Sequence, residues 1–400
     1  MSYVAKLTRR ILCLFVPGIL LAGLMGLHAQ NSTSDRFDAS TYWRAPLAAQ
    51  GKAPTDWTLL EKSLAPEDCG QCHKDQLEQW RTSRHAQAFS PGLVGQLLTL
   101  SPQGAAECLE CHAPLAEQWT AFEAARALGV AHKRDQQGLA AAGISCSGCH
   151  LREHRRYGPP QRVTNAIGPS ASSASHGGVF RTAFFESSEF CSECHQFAAN
   201  VAVNGKPLQN TFAEWKASPK AAQGSTCQTC HMPDRQHLWR GIHDPAMVAS
   251  GITPRVSANA QRVRFEVSNT AVGHAFPTYV AAKIALRVVA LDEAGTPRSE
   301  TLRSYYIARQ VRYDGAQWIE VSDTRLLPGQ SAAIELAWNG SNQIRVWMEV
   351  IPDDFHEAEI FRERLETLPP GSDAARLITA ARSQAAKSSF RLFEDDIRRP

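Results

Sequence analysis

Cys69-Gly70-Gln71-Cys72-His73 is the first of five copies of Cys-x-x-Cys-His, and its reading decides the fold. The others are Cys108-Leu109-Glu110-Cys111-His112, Cys146-Ser147-Gly148-Cys149-His150, Cys191-Ser192-Glu193-Cys194-His195 and Cys227-Gln228-Thr229-Cys230-His231. Two thiols at this spacing add across the two vinyl groups of one porphyrin. The adjoining imidazole is then held under the iron as its proximal ligand, so the pentapeptide is a c-type haem attachment site. At the chain's own Cys and His frequencies, roughly 0.01 chance matches would arise over its length. Of 11 cysteines ten lie in the motifs, and the other is Cys13.

Structural zinc needs four such ligands per metal and has no use for a histidine after every second cysteine. Disulfides within each pair are compatible with export but leave all the histidines unexplained. The sequence therefore predicts five covalently bound haem c groups. Their iron has proximal ligands His73, His112, His150, His195 and His231.

Lys6, Arg9 and Arg10 precede an apolar run from Ile11 to Leu27, followed by His28-Ala29-Gln30. This reads as a secretory signal over 1–29, cleaved near Ala29, which implies a periplasmic or otherwise exported protein. Pro17 and Gly18 interrupt the run, which is short for a bilayer span, so membrane contact is expected only if the segment stays uncleaved. Cys13 precedes the apolar core and is not placed as a lipid attachment site. Removing 1–29 takes away three basic and no acidic side chains from totals of 42 and 39, leaving 39 of each. Haem propionates then make the protein acidic, so nucleic acid is excluded as a partner on charge.

The first cysteines of the motifs are 36 to 45 residues apart. One segment, 61–252, thus carries every haem, preceded by an N-terminal extension over 30–60. Such a segment has little room for an ordinary core, so the haems are its core and the haem-free chain is expected to be largely unfolded. An internal repeat runs through it: Trp80 and Trp119 each follow a motif at the same distance, each after Glu-Gln. A third echo, Trp215-Lys216-Ala217-Ser218-Pro219-Lys220-Ala221, matches Trp80 to Ala86 but has Lys220 where His85 stands. Lys220 reads as an ordinary surface lysine.

Eight further histidines follow the signal: His85, His132, His154, His176, His237, His243, His274 and His356. Were His73 to His85 one helix, those side chains would stand about 18 Å apart, so His85 would serve a different iron from His73. His154, one turn after His150, reads as a surface residue. His176 lies in a Ser/Gly/Pro-rich stretch whose composition predicts disorder unless a ligand orders it.

Several stretches resemble the bacterial multihaem cytochromes of the cytochrome c-552/c-554 type. They are Cys69 to Ala86 with Trp-x-x-Ser-x-His, Cys108 to Leu115, Phe190-Cys191-Ser192-Glu193-Cys194-His195-Gln196, Cys227 to Pro233, His237-Leu238-Trp239-Arg240-Gly241-Ile242-His243-Asp244, and Gly273-His274-Ala275-Phe276-Pro277-Thr278. Carried over position by position, the resemblance implies distal ligation by His85, His176, His237, His243 and His274.

Beyond residue 252 the chain changes character. Arg262 to Val267, Ile284 to Val288 and Ile344 to Val350 alternate apolar with polar residues, punctuated by Asp314-Gly315, Pro328-Gly329 and Asn339-Gly340. This predicts an all-β, immunoglobulin-like sandwich over 253–353, onto which His274 would latch the haem domain. Residues 354–368 and 373–387 read as helices of a helical tail over 354–400, with Asp373 as an N-cap.

The fold class expected is a mainly α and irregular multihaem domain, an all-β sandwich and a helical tail. The function expected is electron transfer between redox partners, a quinol-linked membrane donor and other cytochromes, through closely packed bis-histidine haems. The rival is an oxidoreductase acting on a small nitrogen or sulfur compound at one open iron. No motif carries the lysine that replaces the motif histidine in nitrite-reducing cytochromes.

Overall fold

Four of the Cys-x-x-Cys-His motifs lie within short helices and the first begins at the last residue of one, each helix start set by local chemistry. In the computed structural model, which describes residues 37–162 and 178–400, these helices are Pro66–Cys69, Pro102–His112, Cys146–His150, Glu189–His195 and Cys227–His231. Ser101 and Ser145 cap two of them by accepting the N–H of Gly104 and Gly148. Pro66 and Pro102 occupy first-turn positions where no N–H is required. The signal segment, Cys13 and His176 lie outside the described residues.

The predicted helix through His73 to His85 is shorter than that span. Helix Lys74–Arg81 ends where the Ser83 hydroxyl donates to the Trp80 carbonyl and accepts the Ala86 N–H, turning the chain before His85. Gly70 is required here, because a Cβ would meet Leu77 Cδ2 at 2.0 Å. The helix after His150 also stops at once, giving way to an antiparallel pair, Leu151–Arg152 with Arg155–Gly158. His154 sits in the turn with left-handed φ 58° and is buried, a correction to its reading as a surface residue. Its ring Nε2 bonds the Gly51 carbonyl of the N-terminal extension at 3.1 Å.

The haem segment does contain an apolar core. Phe89, Val94, Leu97, Leu109 and Phe122 cluster there, and helix Asp373–Ala385 from the tail packs against helix Pro91–Leu97. Contact is close because Gly92 and Gly95 offer no side chain: a Cβ on Gly95 would approach Ile378 Cγ1 at 2.7 Å. The N-cap of this tail helix is Ser372, which accepts the Ala375 N–H, and not Asp373, which is its first helical residue.

Beyond Gly251 two antiparallel sheets share one core. The first orders Ser331–Ala337, Arg262–Asn269 and Ile252–Ala258; the second orders Phe390–Arg398, Gln343–Ile351, Lys283–Leu291 and Arg303–Ile307. Alternation puts Val263, Phe265 and Val267 opposite Ile284, Leu286, Val288, Ile344, Val346, Met348 and Val350. Asn339 and Gly340 both have positive φ, as the tight connection into Gln343–Ile351 demands.

The tail is helical only as far as Ala385. Residues 390–398 form the edge strand of the larger sheet, pairing Ile397 with Ile344 and Phe393 with Met348. A register shift at Met348/Glu349 skips Leu392, so Phe390, Leu392, Phe393 and Ile397 can all reach the shared core. Among the described residues no helix is long and apolar enough to cross a membrane.

Candidate functional site

Three pairs of imidazoles stand at one spacing. His195 and His85 have ring centres 6.3 Å apart, His150 and His237 6.3 Å, and His231 and His274 6.4 Å. Two metal–nitrogen bonds of about 2.0 Å, each with about 1.2 Å from nitrogen to ring centre, predict about 6.4 Å for two histidines on opposite sides of one iron. In each pair one ring belongs to a Cys-x-x-Cys-His motif and the other comes from a distant part of the chain.

Ring orientation agrees with ligation. The Nδ1 atoms of His112, His150 and His231 lie 2.8, 2.8 and 2.7 Å from the carbonyls of Ala88, Tyr157 and Arg240. His274 Nδ1 is 2.9 Å from the Ala275 carbonyl. A carbonyl only accepts, so Nδ1 carries the proton and the lone pair of the neutral ring is on Nε2. His195 differs: its Nδ1 lies 3.3 Å from Gln209 Nε2, an amide donor, so no carbonyl holds a proton on that nitrogen. His85 Nδ1 is buried with no hydrogen-bond partner.

Burial, then neighbouring imidazoles, pushes His85 down to about 3. Burial pushes His195, His237 and His274 to about 4, and lowers His112, His150 and His231. All are therefore neutral at neutral pH, the form that binds a metal. These residues fit a haem iron at the third, fourth and fifth motifs.

The motifs also touch one another. The thiols of Cys69 and Cys146, of Cys111 and Cys194, and of Cys191 and Cys227 lie close enough to shift one another's proton affinity. Gly148 of the third motif packs on Pro114, next but one to His112, where a Cβ would lie 3.2 Å from the proline ring. The first motif thus lies against the third, the second and fifth against the fourth.

The internal repeat has a structural meaning. Trp80 Nε1 donates to the Ile144 carbonyl at 2.8 Å while Ile144 N–H donates to the His85 carbonyl at 3.0 Å. Trp215 Nε1 and Lys220 treat Ser225 identically, at 3.0 and 3.0 Å. Ile144 and Ser225 each stand two residues before a motif, so the Trp fixes the approach to the next attachment site. Lys220 is half-buried, with its stem against Gly273, rather than freely exposed. Trp119 differs, donating to the Ala113 carbonyl of its own motif.

The other histidines go elsewhere. His243 Nε2 is 3.0 Å from Asp353 Oδ2, whose second oxygen is 3.9 Å from Arg84. His132 Nδ1 pairs with Asp373 at 3.1 Å. His176, the fifth implied distal ligand, lies outside the described residues.

Sequence reading missed the clamp that seats the His274 loop. Glu214 Oε2 accepts from the Ala275 N–H and the Thr278 hydroxyl, both at 3.2 Å, and its Oε1 pairs with Arg325 at 3.0 Å. Both side chains of that ion pair are buried. Arg309, fully buried, donates to the carbonyls of Pro207, Val203 and Lys206 and to Glu320, tying the β region to the strand pair 202–207. Charges set apart in the chain, with Glu214 on a helix and Arg309 and Glu320 on separate strands, give no sequence signal for such pairing.

A family profile described as cytochrome c554 and c-prime matches residues 68–151. No curated protein sequence matches the chain. The crystal structure of a penta-heme cytochrome c552 from Thermochromatium tepidum has a similar fold, with TM-score 0.57 and 20% identity over 85% of this chain and 99% of that one. Family match and fold together support a multihaem c-type cytochrome with covalently bound haem.

Proposed function

We propose that the protein is an exported pentahaem cytochrome c that carries electrons between redox proteins. The observation that carries this reading is the common 6.3–6.4 Å spacing of three histidine pairs, each joining a motif to a distant element. The ten motif cysteines would hold five haem c groups, with His85, His237 and His274 as distal ligands at the fourth, third and fifth motifs and His176 as a further distal ligand implied by the resemblance. Haem supplies one-electron chemistry, shuttling between ferric and ferrous iron.

The chain's own contribution is rigidity and proximity. Imidazoles on both sides of an iron would leave the ligand set unchanged on electron gain or loss, and carbonyls on Nδ1 fix the rings of His112, His150, His231 and His274. The neighbouring thiols, which set the first motif beside the third and the second and fifth beside the fourth, support close packing of the groups they would hold. We read the two facing sheets as an immunoglobulin-like sandwich that supplies His274. Charge balance after loss of the signal favours protein partners over nucleic acid, among them a quinol-linked donor and other cytochromes.

Electron paramagnetic resonance of the oxidised protein tests the reading. Only low-spin haem signals are expected. A high-spin centre that shifts on adding nitrite, hydroxylamine or cyanide would contradict it and favour a catalyst.

A further inference from the structure

His112, the histidine of the second motif, has no described histidine ring among the pairs at ligand spacing. His243, implied by family resemblance as a distal ligand, is engaged through Nε2 with Asp353. We infer that the sixth ligand of the second-motif iron is His356, a residue that no motif marks. This rests on the reading of the chain as a multihaem cytochrome.

Elimination is the first argument. His85, His237 and His274 are paired, His132 is on Asp373, His154 on Gly51 and His243 on Asp353. Among the described residues, the ring nitrogens of His356 make no hydrogen bond, although burial lowers its proton affinity. Its half-buried ring is thus free to take another partner.

Position is the second argument. The segment holding His112 and the one holding His356 are joined through one short stretch of chain. Ala88 accepts the His112 Nδ1 proton at 2.8 Å, and four residues earlier Arg84 reaches Asp353, three residues before His356. His112, Arg84 and His243 are all near enough to His356 for their charges to act on its ring. The Phe355 N–H donates to the Ala281 carbonyl at 3.1 Å, fixing this turn to the β region.

Backbone form is the third. His356–Phe361 is a π-helical turn, a rare conformation found mostly at functional sites. The wider turn redirects His356, which packs between Phe355 and Phe361 at 6.1 and 5.9 Å. His243 Nε2 then stays on Asp353 and binds no iron. The β region and tail would contribute two distal ligands, His274 and His356, to two different irons.

The test uses the full-length holoprotein with its haem content verified by mass. In His356→Ala one haem should change from low to high spin and acquire cyanide binding, and added imidazole should restore the low-spin signal. His243→Ala should keep every haem low-spin. A His356→Ala protein with all haems still low-spin overturns the assignment, as does a high-spin haem appearing in His243→Ala instead. A high-spin haem already present in the unaltered protein counts against the electron-carrier reading as well, whereas the first two results refute the His356 assignment alone.

Discussion

Chain prepared without haem is expected to split into a structured and an unstructured part. Residues 253–353 with the strand Phe390–Arg398 should unfold cooperatively, while the chain from 61 to 252 should show no sharp transition of its own. The β core contains Phe265, Ile284, Leu286, Ile307, Trp338 and Ile344, all essentially inaccessible to solvent. Each such side chain contributes about 1.5–3 kcal/mol when fully buried. The haem segment has only modest apolar clusters, around Phe89 and Phe122 and around Leu77 and Trp80, and several of its imidazoles are buried neutral beside one another. Differential scanning calorimetry of haem-free protein, with hydrogen exchange to locate the protected amides, checks this. Protection of the motif helices comparable to that of strand Lys283–Leu291 would show that the polypeptide alone specifies the haem segment. This narrows the expectation from sequence, that the haem-free chain is largely unfolded, to the haem segment.

Replacing His274 by Ala is expected to open the iron at the fifth motif completely and to leave the β region docked. His231 would keep its place, since its Nδ1 is held by the Arg240 carbonyl. The loop would keep its place because Glu214 holds the Ala275 N–H and Thr278, and Arg325 holds Glu214. One haem should become high-spin, with a stability loss of about 1–3 kcal/mol, the scale of one lost buried polar interaction. Electron paramagnetic resonance and denaturant titration read the two effects separately. Unchanged spin states would remove His274 from the ligand set.

The attachment sites were legible because their chemistry is local: two thiols and an imidazole within five residues need no tertiary context. The β strands were legible for a similar reason, since alternation in Arg262–Asn269 and Gln343–Ile351 is a property of single strands. The partnership of His237 with the third motif and His85 with the fourth depends on long-range contacts, such as Trp80 on Ile144. The last strand was missed because Phe390 to Arg398 does not alternate strictly; the extra residue Leu392 is absorbed by a bulge that only the pairing with Gln343–Ile351 reveals. His154 was misplaced for want of a turn signal after His150, where a hairpin replaces the expected helix. His356 gave no signal at all, lying in an acidic helical stretch with no cysteine near it.

Mass spectrometry of the purified, exported chain tests the central claim most directly, because thioether-linked haem survives denaturation. The account predicts the polypeptide mass from about residue 30 onward plus five haem increments. A mass with fewer than five, or one that returns to that of the bare polypeptide on acid unfolding, would contradict it.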